Sequence, residues 1–266
     1  MIRCLPLVNR QLISLHGKDT FDFLQKLLTK DLRPLNECER GTAYSYLLNA
    51  RGRIVTDLML YKRGDEILIE TEVSIAEKLK KILKTYKLRR DVNISDVEDA
   101  IFFTNTTDSS SNKFYLDPRI PNFGGRFLLN KEDAFEHLEL NYDLLRMKSG
   151  LAEGSIETSE QLPLNMNGDL MNGINFDKGC YIGQELTART NFLGVVRKRL
   201  LPLEFLDDKA QLNDELINSK GKKCGKIIKR VDNLGIGIVS VQEISNIILN
   251  GDAEVRVKKP EWWPTV

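Results

Sequence analysis

Apolar and polar positions alternate along QLISLHG, Gln11–Gly17, and then take up helical spacing in DTFDFLQKLL, where Phe21, Phe23, Leu24, Leu27 and Leu28 share one face. This predicts a strand running into a helix, broken at Gly17-Lys18 and capped by Asp19 or Thr20, with Pro34 expected to end the helix. Period-two stretches return in AYSYLLN, RGRIVTDLMLY and EILIET, divided by Arg51-Gly52 and by Arg63-Gly64-Asp65. An antiparallel meander is the consequence. SIAEKLKKILKTYKL then places Ile75, Leu79, Ile82, Leu83 and Tyr86 at helical spacing, and VNISDVE reads as a further strand.

TNTTDSSSN, 104–112, is a cluster of turn formers and reads as a surface loop. Beyond it FYLDPR and GGRFLLN look like strands, and KEDAFEHLELNYDLLRMKSGL like one helix ending at Gly150. The stretch AEGSIETSEQLPLNMNGDLMNGINF lacks a period and is expected to wrap a surface or line a cleft. From Leu200 onward LLPLEF, KKCGKIIKRV, LGIGIVSVQ and AEVRVK are short strands with Gly or Asn-Gly turns, which predicts a small β-barrel or sandwich. The ending KKPEWWPTV reads as a tail clamped by aromatic burial. Three regions result: an α+β subdomain over 1–98, a second α+β region over 99–195, whose parts need not be contiguous in space, and a C-terminal β-barrel over 196–266. The order of strands and helices in the first suggests a ferredoxin-like, antiparallel arrangement.

Composition narrows the partners. Among 266 residues, 39 basic side chains balance 38 acidic ones for a net charge of +1, so no global field draws in nucleic acid or an anionic membrane. No apolar run approaches the length of a membrane span, and no membrane insertion is expected. The basic stretch Lys78–Arg90 reads as a solvated face opposite an apolar stripe. The first residues carry arginines and no acid until Asp19, a faint likeness to a transit peptide that the strand pattern of QLISLHG outweighs.

Cys4, Cys38, Cys180 and Cys224 are far apart, with no CxxC pair, which favours a reducing compartment and argues against a self-contained metal site. Cys180 stands out because it lies among polar residues in KGCYIGQELTAR, 178–189. Gly179 and Gly183 allow a tight turn, the residues from Gln184 on are helix formers, and Lys178 would favour the thiolate. Nucleophile, redox sensor and soft-metal ligand are the uses open to such a thiol. His16 and His137 carry no signature of a catalytic dyad, and Cys224 is the one candidate resolving thiol within fifty residues. Ligation of an iron–sulfur cluster needs about four ligands, so Cys180 would have to share the cluster with a partner.

The run KGCYIGQE, 178–185, resembles the signature of the folate-associated YgfZ family, relatives of the glycine-cleavage T-protein, an aminomethyltransferase. LTARTNFLGVVRKRL and PEWWPTV, with FDFLQKLLTKDL, YSYLLNARGRIVTDLMLY and YKLRRDV, are similar to the mitochondrial members of animals, which serve iron–sulfur cluster assembly. The resemblance spans nearly the whole chain. It implies three subdomains in a ring, two α+β and one barrel, and a role in the mitochondrial matrix, late in [4Fe–4S] protein maturation, with A-type scaffold proteins as partners. It maps the signature cysteine to Cys180 as shared ligand, with Lys178, Gly179, Tyr181, Gly183, Gln184 and Glu185 as supports. A monomer without classical turnover is expected.

The alternative is a folate-dependent one-carbon transferase, with tetrahydrofolate as cofactor. The family's paired aspartates appear here as Thr56-Asp57, and the glutamate that would grip the pterin appears as Asn165. An amide replaces charge-assisted bonds with neutral ones, so folate affinity should fall.

Overall fold

The computed structural model describes residues 2–108, 110–130, 132–207 and 215–264. In chain order the elements are β1 (Ile2–Pro6), β2 (Arg10–His16), α1 (Thr20–Leu27), α2 (Arg33–Asn36), β3 (Arg40–Leu48), β4 (Ile54–Arg63), β5 (Glu66–Glu72), α3 (Val73–Lys87), β6 (Asn93–Asp96), β7 (Ala100–Thr104), β8 (Phe114–Leu116), β9 (Gly125–Leu129) and β10 (Phe135–His137). They continue with α4 (Tyr142–Ser149), α5 (Ser155–Thr158), α6 (Gln184–Leu193), β11 (Lys198–Phe205), β12 (Glu215–Ile217), β13 (Lys223–Val231), β14 (Leu234–Ser240), β15 (Ile247–Asn250) and β16 (Ala253–Val257). The chain divides into two compact units, Met1–Leu140 with Met171–Gln184, and Asn141–Leu170 with Glu185–Val266.

The first unit holds two five-stranded sheets, ordered β3-β4-β5-β2-β6 and β10-β1-β7-β9-β8. The predicted meander is present: β3 pairs β4 and β4 pairs β5, all antiparallel. Phe23, Leu24, Leu27 and Leu28 from the α1 region and Ala76, Leu79 and Leu83 of α3 pack on Leu58, Leu60, Ile67 and Ile69 of the sheet. The opposite residues of the pleat mix polar side chains with the apolar Met59 and Leu68. Asp57 and Glu70 are fully buried, Glu70 accepts from Arg10 Nε at 2.8 Å, and Arg126 of β9 lies 3.7 Å from Glu70 and 3.4 Å from Asp117. Arg119 closes a bidentate pair with Asp117. Buried charges persist only where they are matched in this way.

In the second unit six strands close into a barrel in the order β11-β14-β13-β12-β15-β16. Leu201, Leu203, Leu216, Val239, Val255 and Val257 fill it. Trp263 packs against this core and Trp262 Nε1 donates to the Ser149 carbonyl at 2.8 Å, so the aromatic tail is clamped as expected. Part of the aperiodic stretch follows β11: the Leu200 N–H donates to the Asn165 carbonyl at 2.7 Å, and Asn167 Nδ2 to the Leu200 carbonyl at 2.7 Å.

Three local expectations change. Pro34 does not end α1, which stops at Leu27 with Leu28 extended; it sits in the first turn of α2, where its missing N–H costs nothing. The long helix toward Gly150 is only its last part, α4, capped by the Asn141 side chain accepting from the Leu144 N–H. Ahead of it, β10 pairs in parallel with β1, and Phe135 packs on Phe102 at 4.6 Å, so His137 lies on a strand and not on a helix. β1 and β7 have no counterpart in the sequence reading, because IRCLP and AIFFT alternate too weakly to stand out.

Candidate functional site

A helix leaves its last carbonyls without partners inside the helix. Those of α1 are taken up by the KGCYIGQE segment. Lys178 Nζ donates to the carbonyls of Gln25, at 2.6 Å, and Leu28, at 2.5 Å, and the Ile182 N–H donates to that of Lys26 at 3.3 Å. The cation also meets the negative end of the helix dipole and lies 5.1 Å from the centre of the Tyr181 ring. Loss of hydration pushes the Lys178 ammonium down to about 8, with the Asp31 charge opposing the shift and that of Arg33 adding to it. Lys178 is thus a buried strut under the turn.

The segment before the motif is tied to the same place. Thr29 Oγ1 donates to the Gly173 carbonyl at 2.7 Å, the Asn175 N–H donates to the Thr29 carbonyl at 3.0 Å, and the Asp31 N–H donates to Asn175 Oδ1 at 3.0 Å. Inside the motif the Tyr181 N–H donates to Gln184 Oε1 and the Gln184 N–H to the Tyr181 carbonyl, each at 3.3 Å. α6 begins at Gln184, which gives the turn entering a helix that the sequence predicts.

The two glycines answer different demands. Gly179 has φ +94° with nothing within 4 Å of an added Cβ, so only its backbone angle requires glycine. Gly183 has φ +76°, and an added Cβ would stand 2.4 Å from the Asn49 carbonyl oxygen and 3.1 Å from Gly52 Cα. The motif is therefore pressed against the β3–β4 turn, where Asn49 Oδ1 accepts from the N–H groups of Arg51 and Arg53, each at 3.0 Å.

Cys180 is exposed at the crest of this turn. The other thiols are withdrawn. Cys4 is buried and its pKa is pushed up to about 11 by burial, and Cys224 is buried, raised by burial and by the Glu243 charge, and donates to the Leu216 carbonyl. Cys38 is half-buried and donates to the Leu35 carbonyl at 3.2 Å. Among the described residues no three His, Cys, Asp or Glu side chains group as a metal site, and neither histidine is hydrogen-bonded to a cysteine. What the arrangement offers chemically is one accessible sulfur on a fixed platform. Glu185 is exposed next to it in sequence.

Asp57 lies on β4 in the first unit, with no exposure and Arg10 at 4.0 Å. Arg10 is the cation nearest that buried carboxylate, an arrangement of matched internal charges. Asn165 belongs to the second unit.

Comparison with known proteins places this geometry. The Aspergillus fumigatus protein named iron-sulfur cluster assembly factor IBA57 homolog, mitochondrial, is 31% identical across 92% of this chain and 72% of its own length. The chain belongs to the IBA57 family. The human family member is 29% identical across 99% of this chain and 86% of its own, and the Neurospora crassa one 37% identical across 74% and 52%. All three are named mitochondrial, and this chain is assigned there with them. Residues 197–265 match the family described as CAF17, C-terminal beta-barrel domain. The solved glycine cleavage system aminomethyltransferase T of Bartonella henselae shares the fold, at a TM-score of 0.76 and 14% identity over 98% of this chain and 88% of that one. The family resemblance and the α+β fold with a terminal barrel, both read from the sequence, are borne out.

Sequence reading missed the seat of the motif: the carbonyls of α1, the Gly173–Asn175 stretch and the Asn49–Gly52 turn. The Asn-x-x-Gly spacing of the last was legible as turn chemistry.

Proposed function

We propose that this protein acts in the mitochondrial matrix as an iron–sulfur cluster assembly factor, late in [4Fe–4S] protein maturation, sharing a cluster with an A-type scaffold partner through Cys180. The observation that carries the reading is the single exposed thiol on a turn anchored by Lys178, Tyr181, Ile182 and Gln184. Thiolate is the ligand such clusters take, and a cluster needs about four ligands, so one sulfur leaves the remainder to the partner. The cluster is cargo here, not a resident cofactor. The names of the relatives support assembly as the function.

A fixed ligand on a turn suits a shared site for a physical reason. The backbone that carries the sulfur is held before the partner arrives, so little main-chain freedom is lost on association. Tyr181, Gln184 and the two glycines hold the turn, and Lys178 anchors it to α1.

The test is anaerobic mixing of the chain with an A-type scaffold protein, ferrous iron and sulfide, read by visible absorption and native mass, with Cys180→Ser in parallel. A coloured heterocomplex formed by the wild type and not by the variant is expected. Absence of a coloured complex with both would overturn the reading, and bound tetrahydrofolate with turnover would favour the transferase.

A further inference from the structure

At the opposite end of α1 from the cysteine turn, the chain leaving α3 makes a turn of an unusual kind. Leu88 has φ +51° and ψ −115°, and the Arg90 N–H donates to the Lys87 carbonyl at 2.9 Å. These are the angles and the bond of a type II′ turn with Leu88 at its first central position, a place that glycine fills without strain and a branched side chain does not. The side chain gains nothing inside the fold in return, because Leu88 is 81% exposed. Single exposed leucines are ordinary, but an exposed leucine held in a strained conformation is not.

The surroundings enforce the conformation. Lys87 Nζ donates to the Val92 carbonyl at 2.8 Å, the Asp91 N–H donates to Asp19 Oδ2 at 2.7 Å, and the Asp19 N–H returns a bond to the Asp91 carbonyl at 3.2 Å. Gly17 is pressed so close that an added Cβ would stand 2.4 Å from the Asp91 oxygen. The Arg90 guanidinium lies over the Phe23 ring of α1 at 5.8 Å. The turn is therefore docked at the start of α1, and the Cys180 turn at its end. Eight residues of helix separate the two, about 12 Å.

We infer that Leu88 is an anchor for the partner that shares the cluster, entering an apolar pocket rimmed by carboxylates on that partner. The inference rests on the function proposed above. Apolar burial supplies the anchor, and the rim follows from charge: Lys81, Lys84 and Arg89 are exposed around the turn, while Asp91 is the exposed acid next to it. Both turns are tethered to α1, one at each end, so a partner that spans the length of this helix meets both.

The experiment uses the full chain and the A-type scaffold, first free of cluster and then with it. Leu88→Gly keeps the turn, removes the side chain and relieves the strain. It should raise the thermal midpoint by about 2–4 °C while weakening the complex at least about tenfold in both states. Arg89→Glu should weaken it with the folded state intact. Cys180→Ser should remove the cluster's absorption and leave the cluster-free affinity in place. A wild-type coloured complex that Leu88→Gly forms with unchanged affinity would overturn the inference and spare the proposed function. No complex with the wild type would overturn both. Sedimentation with phosphatidylcholine–cardiolipin vesicles that depends on Leu88, with the protein complex unaffected, would assign the turn to a membrane surface and overturn the protein partner.

Discussion

The paired glycines of the motif allow its conformational and packing requirements to be measured apart. Gly179→Ala places a Cβ in open space at φ +94°, so it should cost only the backbone penalty, about 1–2 kcal/mol. Gly183→Ala carries a similar penalty at φ +76° and adds a Cβ at 2.4 Å from the Asn49 oxygen. That oxygen belongs to a turn closed by the Gly52 N–H at 2.9 Å, so relief requires moving backbone, at about 1–3 kcal/mol more. Gly183→Ala should therefore destabilise by about 2–5 kcal/mol, roughly twice the loss at Gly179 or more. Urea unfolding of both variants, followed by tryptophan fluorescence and by far-UV circular dichroism, gives the two free energies, the second probe being needed because both tryptophans lie in the second unit. Equal losses at the two positions would refute the claim that the motif is seated on the β3–β4 turn.

Two further outcomes test the rest of the platform. Lys178 titrates near 8 in the folded protein against an ordinary 10.5, so above about pH 8 the unfolded chain holds the proton more tightly and stability rises with pH toward 10.5. Below pH 8 the full desolvation cost is present; the gain on crossing the window is about 1–2 kcal/mol after allowance for solvent screening, and wild type should gain that much relative to Lys178→Met in urea melts at pH 7.5 and 10. Native thiol labelling with iodoacetamide should mark Cys180 first and leave Cys4 and Cys224 unmodified until urea is added. Cys180→Ser should lose the fast label with a stability change within about 0.5 kcal/mol, as an exposed side chain implies; a large loss of stability would make the cysteine structural.

What the sequence determined by itself was local or arithmetical. Alternation set the meander over β3, β4 and β5, helical spacing set α1 and α3, and glycine-punctuated short strands set the barrel, because each depends on neighbours a few residues apart. The scattered cysteines and the KGCYIGQE signature singled out Cys180 before any coordinate was known. Tertiary structure decided the rest, where the partner of a residue lies far along the chain. The bond from Lys178 to Leu28 joins residues 150 positions apart, so no spacing rule could show that this lysine caps a helix. The short β10 and the truncated α4 depend on the edge that β1 offers, which exists only once the sheet has formed. The strain at Leu88 belongs to the same class: nothing in the local spacing of KLRR marks it, and bonds to Asp19 and Val92 from residues around the turn hold it in an angle that leucine avoids.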